Sequence, residues 1–420
     1  MPSPTALVAL FVLAMPQAQA DLRAERDAIR DRETTALDAI AAGLKGDEAE
    51  AVRTLREAPP AADGSTRFLP LGEVIAAVKL KESDDVRKAR LDAAKAYFEL
   101  ADKALKAIPP RLALADECLR RVVARDPGHA EAHRLLGYVP HEGGWATPFA
   151  VTKLRNGDVL HPTYGWVEKG WVPHLDRREL PAPRVARQPT RWLPAADADA
   201  LRRDFAKGWQ IRTEHFAILT NVPLAQAIDF GRHLEAFDEL FTSRMADVIG
   251  PADLPLAKLA KDPKLSPDKL PAKKPHRVNY FADKEEYVDY LSPMQGADIR
   301  NTLGIFLPAK ELRAKEGMSY FYRDPGGQLA ETETLFHEVS HQLLFEMTPG
   351  KYDPERANFW VYEGLGCYFE TIRPQQDGTL RVGGLVGKRI AVAQDRVIGR
   401  REFVPIGRMA SYNKFFFNGG

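Results

Sequence analysis

At 420 residues the chain is long enough for two or three domains, each with its own core. Its 59 basic and 58 acidic residues leave a formal net charge of +1, so no global field points to nucleic acid or an anionic membrane. Hydrophobic and charged fractions of 45% and 28% are those of an ordinary soluble globular protein, and Cys118 and Cys367 alone make neither a disulfide framework nor a cysteine-type zinc site.

Residues 1–20 read as a signal peptide. Ala6 to Ala14 is an uncharged apolar run too short to span a bilayer, and Ala18-Gln19-Ala20 gives the small-x-small pattern of a cleavage site before Asp21. The run lacks a preceding Lys or Arg, and an apolar N-terminal tail is the alternative. Export to a periplasm or the extracellular space is expected, with no integral membrane segment left after processing.

From residue 21 to 140 the sequence predicts helices, rich in Ala, Leu, Arg, Glu and Lys with apolar residues three and four apart. Pro59-Pro60 and Pro109-Pro110 break this region, the latter separating helices predicted over 86–108 and 111–124. The stretch Asp126 to Tyr138 is similar to the turn and first helix of a tetratricopeptide repeat, but only one or two units are visible, and a short helical packing module is the expectation. Such helices offer a surface for a protein partner.

Residues 141–208 form a Trp-rich connector in which Trp145, Trp166, Trp171 and Trp192 sit among Gly, Pro and Thr. Alternation between them predicts short strands stapled by tryptophans, in preference to a carbohydrate or peptide platform. From residue 209 the pattern becomes α/β. Strands are predicted at 215–220, 276–281, 302–307 and 318–323, with a long amphipathic helix over 224–245. Asp283 offers an N-cap to a short helix at 285–291, and the Pro- and Lys-rich residues 251–275 read as a surface insertion. The strand at 318–323 reads equally as a core strand or as a sheet edge to which an extended peptide could add.

The chemistry sits in Leu335-Phe336-His337-Glu338-Val339-Ser340-His341. On a helix, His337 and His341 lie one turn apart on one face, so both imidazoles can aim at one ion, while Glu338 can reach a water activated there. The competing reading is a core helix whose histidines bond to neighbouring backbone. A second helix, Phe359 to Glu370, follows, with Glu363 22 residues after His341. Gly364 and Gly366 inside it cost about 1 kcal/mol each, tolerable where two helices must approach closely to share an ion.

HExxH followed by W-x-x-E-G-L-x-x-Y-F-E resembles the gluzincin metallopeptidases, and more specifically the peptidase-MA-like domain of exported bacterial proteins. The resemblance covers residues 209–420 and implies an α/β domain, Zn2+ and hydrolysis of peptide bonds in a peptide or protein substrate. It makes His337, His341 and Glu363 the metal ligands and Glu338 the general base. The family's usual Ala is Gly366 here, and Cys367 stands where an acidic residue orients a ligand histidine. Glu370, on roughly the same helix face, is the candidate for that role, with a solvated helix end as its alternative. Such domains continue with further helices, so this one is expected to be C-terminally incomplete. The whole reads as an α+β chain: tetratricopeptide-like helices, a Trp-rich β connector, and a gluzincin-type metallopeptidase domain. The alternatives are an exported binding or scaffold protein with a catalytically inactive peptidase-like domain, and a hydrolase of a non-peptide amide.

Overall fold

The computed structural model describes residues 17–58, 61–77, 82–184, 188–324, 331–348, 359–385 and 388–411. The fold is mixed α+β, with helices and several small sheets. No helix among the described residues is long and apolar enough to cross a membrane. Most of the candidate leader lies outside the described residues; Gln17–Ala20 open the helix Gln17–Ala42.

The chain divides into two compact units, each assembled from separate stretches. The first comprises Met1–Pro59, Glu73–Pro148 and Ser243–Pro271. Its helices Asp84–Lys106 and Leu112–Arg125 pack with Gln17–Ala42 around Leu37, Ala41, Val52 and Val86 and a fully buried Tyr97. Ser83 caps the first of these by accepting from the Val86 amide at 3.4 Å. The stretch that resembles a repeat helix forms only Ala130–Leu135, because Gly137 at φ +93° turns the chain into the strand Val139–His141. The expected insertion after residue 250 is tied down rather than loose. Its helix Pro255–Lys261 buries Ala257 and Leu259, and the Arg134 guanidinium donates to the carbonyls of Leu259 and Leu265 at 3.1 and 2.8 Å. The apolar residues that do this are spaced among lysines, which masks them in composition.

The second unit comprises Pro60–Gly72, Phe149–Thr242 and Ala272–Gly420. Its centre is a five-stranded sheet: β1 (Trp209–Arg212), β2 (Phe216–Thr220), β3 (His276–Phe281), β4 (Gly304–Leu307) and β5 (Met318–Tyr322), in the order β4-β5-β3-β2-β1. β2, β3 and β5 run parallel, and β1 and β4 close the two edges antiparallel. The central β3 is buried along nearly its whole length, as a parallel strand covered on both faces must be. The strand at 318–323 is therefore interior, and β4 is the edge on that side. Helix α1 (Leu224–Met245) follows β2 and buries Ala227, Phe230, Leu234, Phe237 and Phe241, a three-and-four spacing.

Short hairpins fill residues 158–194, pairing Asp158–His161 with Gly165–Glu168 and Glu179–Pro181 with Trp192–Pro194. Trp192 stacks on His174 at 4.0 Å and meets Trp171 edge-on at 5.5 Å, so these indoles pack the second hairpin on the short helical segment Lys169–Asp176 between the two. A separate small sheet joins Thr66–Phe68 antiparallel to Leu380–Val382, which also pairs with Arg373–Pro374.

Candidate metal centre

Two helices build the site: α2 (Glu331–Met347) and α3 (Phe359–Phe369). Along α2, Leu335, Phe336, Val339, Leu343 and Leu344 are buried. Phe336 lies 5.1 Å from Phe237, and Phe369 of α3 lies 5.2 and 5.3 Å from Phe237 and Phe241, so one aromatic cluster seats both helices on α1. Polar contacts fix the register of α2 on the sheet. Ser319 of β5 donates to Gln342 Oε1 at 2.8 Å, and Gln342 Nε2 donates to the Arg277 carbonyl at 3.3 Å. Arg373, just past α3, pairs with Glu333 in the first turn of α2 at 2.6 Å.

This packing brings His337, His341 and Glu363 together. One ligand atom from each lies within 4.8 Å of the other two. His337 Nε2 is 3.4 Å from Glu363 Oε2, and His341 Nε2 is 3.8 Å from Glu363 Oε1. The two imidazoles are nearly perpendicular, at 89°, with centroids 4.6 Å apart. Both are buried, and Nδ1 of each lacks a hydrogen-bond partner of acceptable geometry. That argues against the reading in which these histidines merely bond to neighbouring backbone.

No family model, curated protein or solved structure matches the chain. The site must therefore be judged on its own geometry. A tetrahedral ion with bonds of about 2.0–2.1 Å holds its ligand atoms roughly 3.4 Å apart. The spacings of 3.4 and 3.8 Å are of that size. The residues present fit a divalent cation.

Electrostatics divides the four residues. Burial by itself would lower His337, but the Glu363 and Glu370 carboxylates beside its two nitrogens reverse this and hold it up to about 10. His341 goes the other way, lowered well below its ordinary value by burial and then by the charge on His337. Cation binding would thus have to displace a proton from His337. Glu338 is raised to about 7, first by burial; His337 pulls it down, Glu363 pushes it up, and a backbone hydrogen bond from Phe306 lowers it. A carboxyl balanced near neutrality beside a cluster of ligand atoms is placed to take up and return a proton.

The remaining face of α3 shapes the histidines. Glu370 Oε1 is 2.7 Å from His337 Nδ1, and both Glu370 oxygens accept from Arg389 Nε at 2.9 and 2.7 Å. Tyr362 stacks on His341 at 3.7 Å and 8°. Gly366 lies flat against His337: a Cβ there would come 2.6 Å from ring Cε1. Gly364, by contrast, faces open space, so only one of the two helix glycines serves the close approach. Sequence reasoning missed Tyr362, Arg389 and the Phe306 amide. Tyr362 carried a faint signal, an aromatic beside Glu363; a backbone donor carries none.

Proposed function

We propose that this chain is a zinc-dependent peptidase in which His337, His341 and Glu363 hold Zn2+ and Glu338 is the general base. One observation carries the reading: two buried imidazoles and a carboxylate from separate helices converge within 4.8 Å, with Glu338 beside them on the same helix as the histidines. When bound, the ion would supply Lewis-acid polarisation of a carbonyl and activation of water. Glu338 takes the proton released by the attacking water and passes it to the departing amine. Glu363 and Glu370 face opposite nitrogens of His337, and Tyr362 restrains the plane of His341. An extended peptide substrate would lie along β4, the edge strand of the sheet, whose Phe306 amide already reaches Glu338.

The same reading assigns residues 209–420 to a gluzincin-type domain of peptidase-MA-like character and residues 21–140 to tetratricopeptide-like helices serving a protein partner. It also places the mature chain outside the cytoplasm. The test is metal analysis joined to a peptide-library assay. Wild-type protein is expected to hold one zinc per chain and to cleave peptides. Glu338→Gln is expected to keep the zinc and lose cleavage. Zinc-free native protein would refute the reading, and zinc-loaded protein without turnover would leave the binding or scaffold alternative.

A further inference from the structure

Glu363, Cys367 and Glu370 are spaced four and three residues apart on one helix face, and they flank a single imidazole. Nε2 of His337 lies on the Glu363 side, and Nδ1 lies on the Glu370 side. A ring nitrogen of His337, the Cys367 sulfur and a Glu370 oxygen all lie within 4.8 Å of one another. The His337 side chain is 8% exposed, and its Nδ1, though 2.7 Å from Glu370, forms no directed hydrogen bond. Cys367 is a free thiol, half-buried.

We propose that His337, Cys367 and Glu370 form a second cation site, selective for thiophilic ions, that competes with the first site for His337. The donor sets differ in kind. The first offers only nitrogen and oxygen, whereas a thiolate favours soft or borderline ions such as Cd2+, Cu+ or zinc in excess. Neutral imidazole has one lone-pair nitrogen, the other carrying hydrogen. An ion on Nδ1 therefore leaves Nε2 protonated and unable to serve beside Glu363. On binding, the Cys367 S–H and His337 Nδ1–H bonds break, both protons pass to solvent, and sulfur–metal and nitrogen–metal bonds form without change of oxidation state. Glu370 gives up Arg389, whose side chain is 60% exposed and free to turn to water. The predicted outcome is a brake: a soft cation silences the first site by taking its histidine.

Binding at this site stands apart from the peptidase reading; only the inhibitory consequence rests on it. The experiment is titration of chelator-treated full-length protein with Cd2+, following the ultraviolet thiolate-to-cadmium charge-transfer band. Wild type, Cys118→Ser and His341→Ala should each develop the band at one cadmium per chain, and Cys367→Ser should not. Zinc retained by wild type at a fixed cadmium excess should fall about 10-fold or more, the scale on which partners of a ligand histidine act, and Cys367→Ser should resist this. A band that survives in Cys367→Ser, or none in wild type, overturns the proposal. So does cadmium displacing zinc equally from wild type and Cys367→Ser. If wild type binds no zinc while the band still follows Cys367, the peptidase reading fails and the second site stands.

Discussion

The second unit contains two buried clusters of histidine and carboxylate, and they solve different problems. At the candidate metal centre the donors converge, with three ligand atoms inside 4.8 Å and two ring nitrogens without hydrogen bonds. Beneath the far end of α2 the same residue types alternate. His215 Nδ1 meets Glu235 at 2.7 Å and Asp238 at 3.6 Å; His276 Nε2 is 4.0 Å from Asp238, while its Nδ1 pairs with Glu346 of α2. Here each imidazole lies between acids. Among the described residues, no three ligand atoms of this second cluster come within 4.8 Å of one another. Histidines and acids held in common do not make a metal site; convergence with unmet donors does.

The largest effect that could break this contrast is metal loss. Glu363→Ala is expected to abolish stoichiometric zinc with folding intact, read by metal analysis and circular dichroism, whereas His276→Leu should keep its zinc. A His276→Leu chain that loses zinc as Glu363→Ala does would dissolve the distinction. The next effect is on stability. His276→Leu removes the imidazole that pairs with Glu346 and approaches Asp238 and should cost about 2–3 kcal/mol by urea unfolding, below the range for wholly buried pairs because Asp238 keeps His215 and Glu346 keeps Gln342.

Gly366→Ala should then weaken zinc binding by about 10- to 100-fold in a competition titration with a chelator, since the added methyl displaces His337. Gly364→Ala, one residue pair away on the same helix, should leave affinity unchanged. The smallest effect is a slope with pH. Burial alone would lower His215, but Asp238 and then Glu235 raise it from 6.5 to about 10. A raised histidine contributes stability that is complete below pH 6.5 and lost as pH climbs through about 10. Urea midpoints should therefore fall between pH 7 and 10 in wild type and fall less in His215→Gln.

Much of the site was legible because it is local. The spacing of His337 and His341 needs only a helix, and Glu363 and Glu370 share a helix face two turns apart. The strands predicted at 215–220 and 276–281 were visible as short β-type runs, and form at Phe216–Thr220 and His276–Phe281. What escaped was non-local. Whether β5 or β4 is the sheet edge depends on pairing order, which the side-chain patterns of these two largely apolar strands do not encode. The alternating cluster joins residues from β3, α1 and α2 that no periodicity relates. Gly364 and Gly366 look alike in sequence, and only the position of the His337 ring separates a required glycine from an incidental one.

Thr66–Phe68 pairs with Leu380–Val382, and 316 residues separate Ser65 from Arg381, whose side chains meet beside that pairing. During synthesis the earlier strand must wait, unpaired, until residue 382 has emerged, so this small sheet cannot close before then. An excised fragment beginning at residue 209 would never receive it. Leu380–Val382 would then present an open flank to solvent, a template for pairing between molecules, and such a fragment should aggregate where the full-length chain does not.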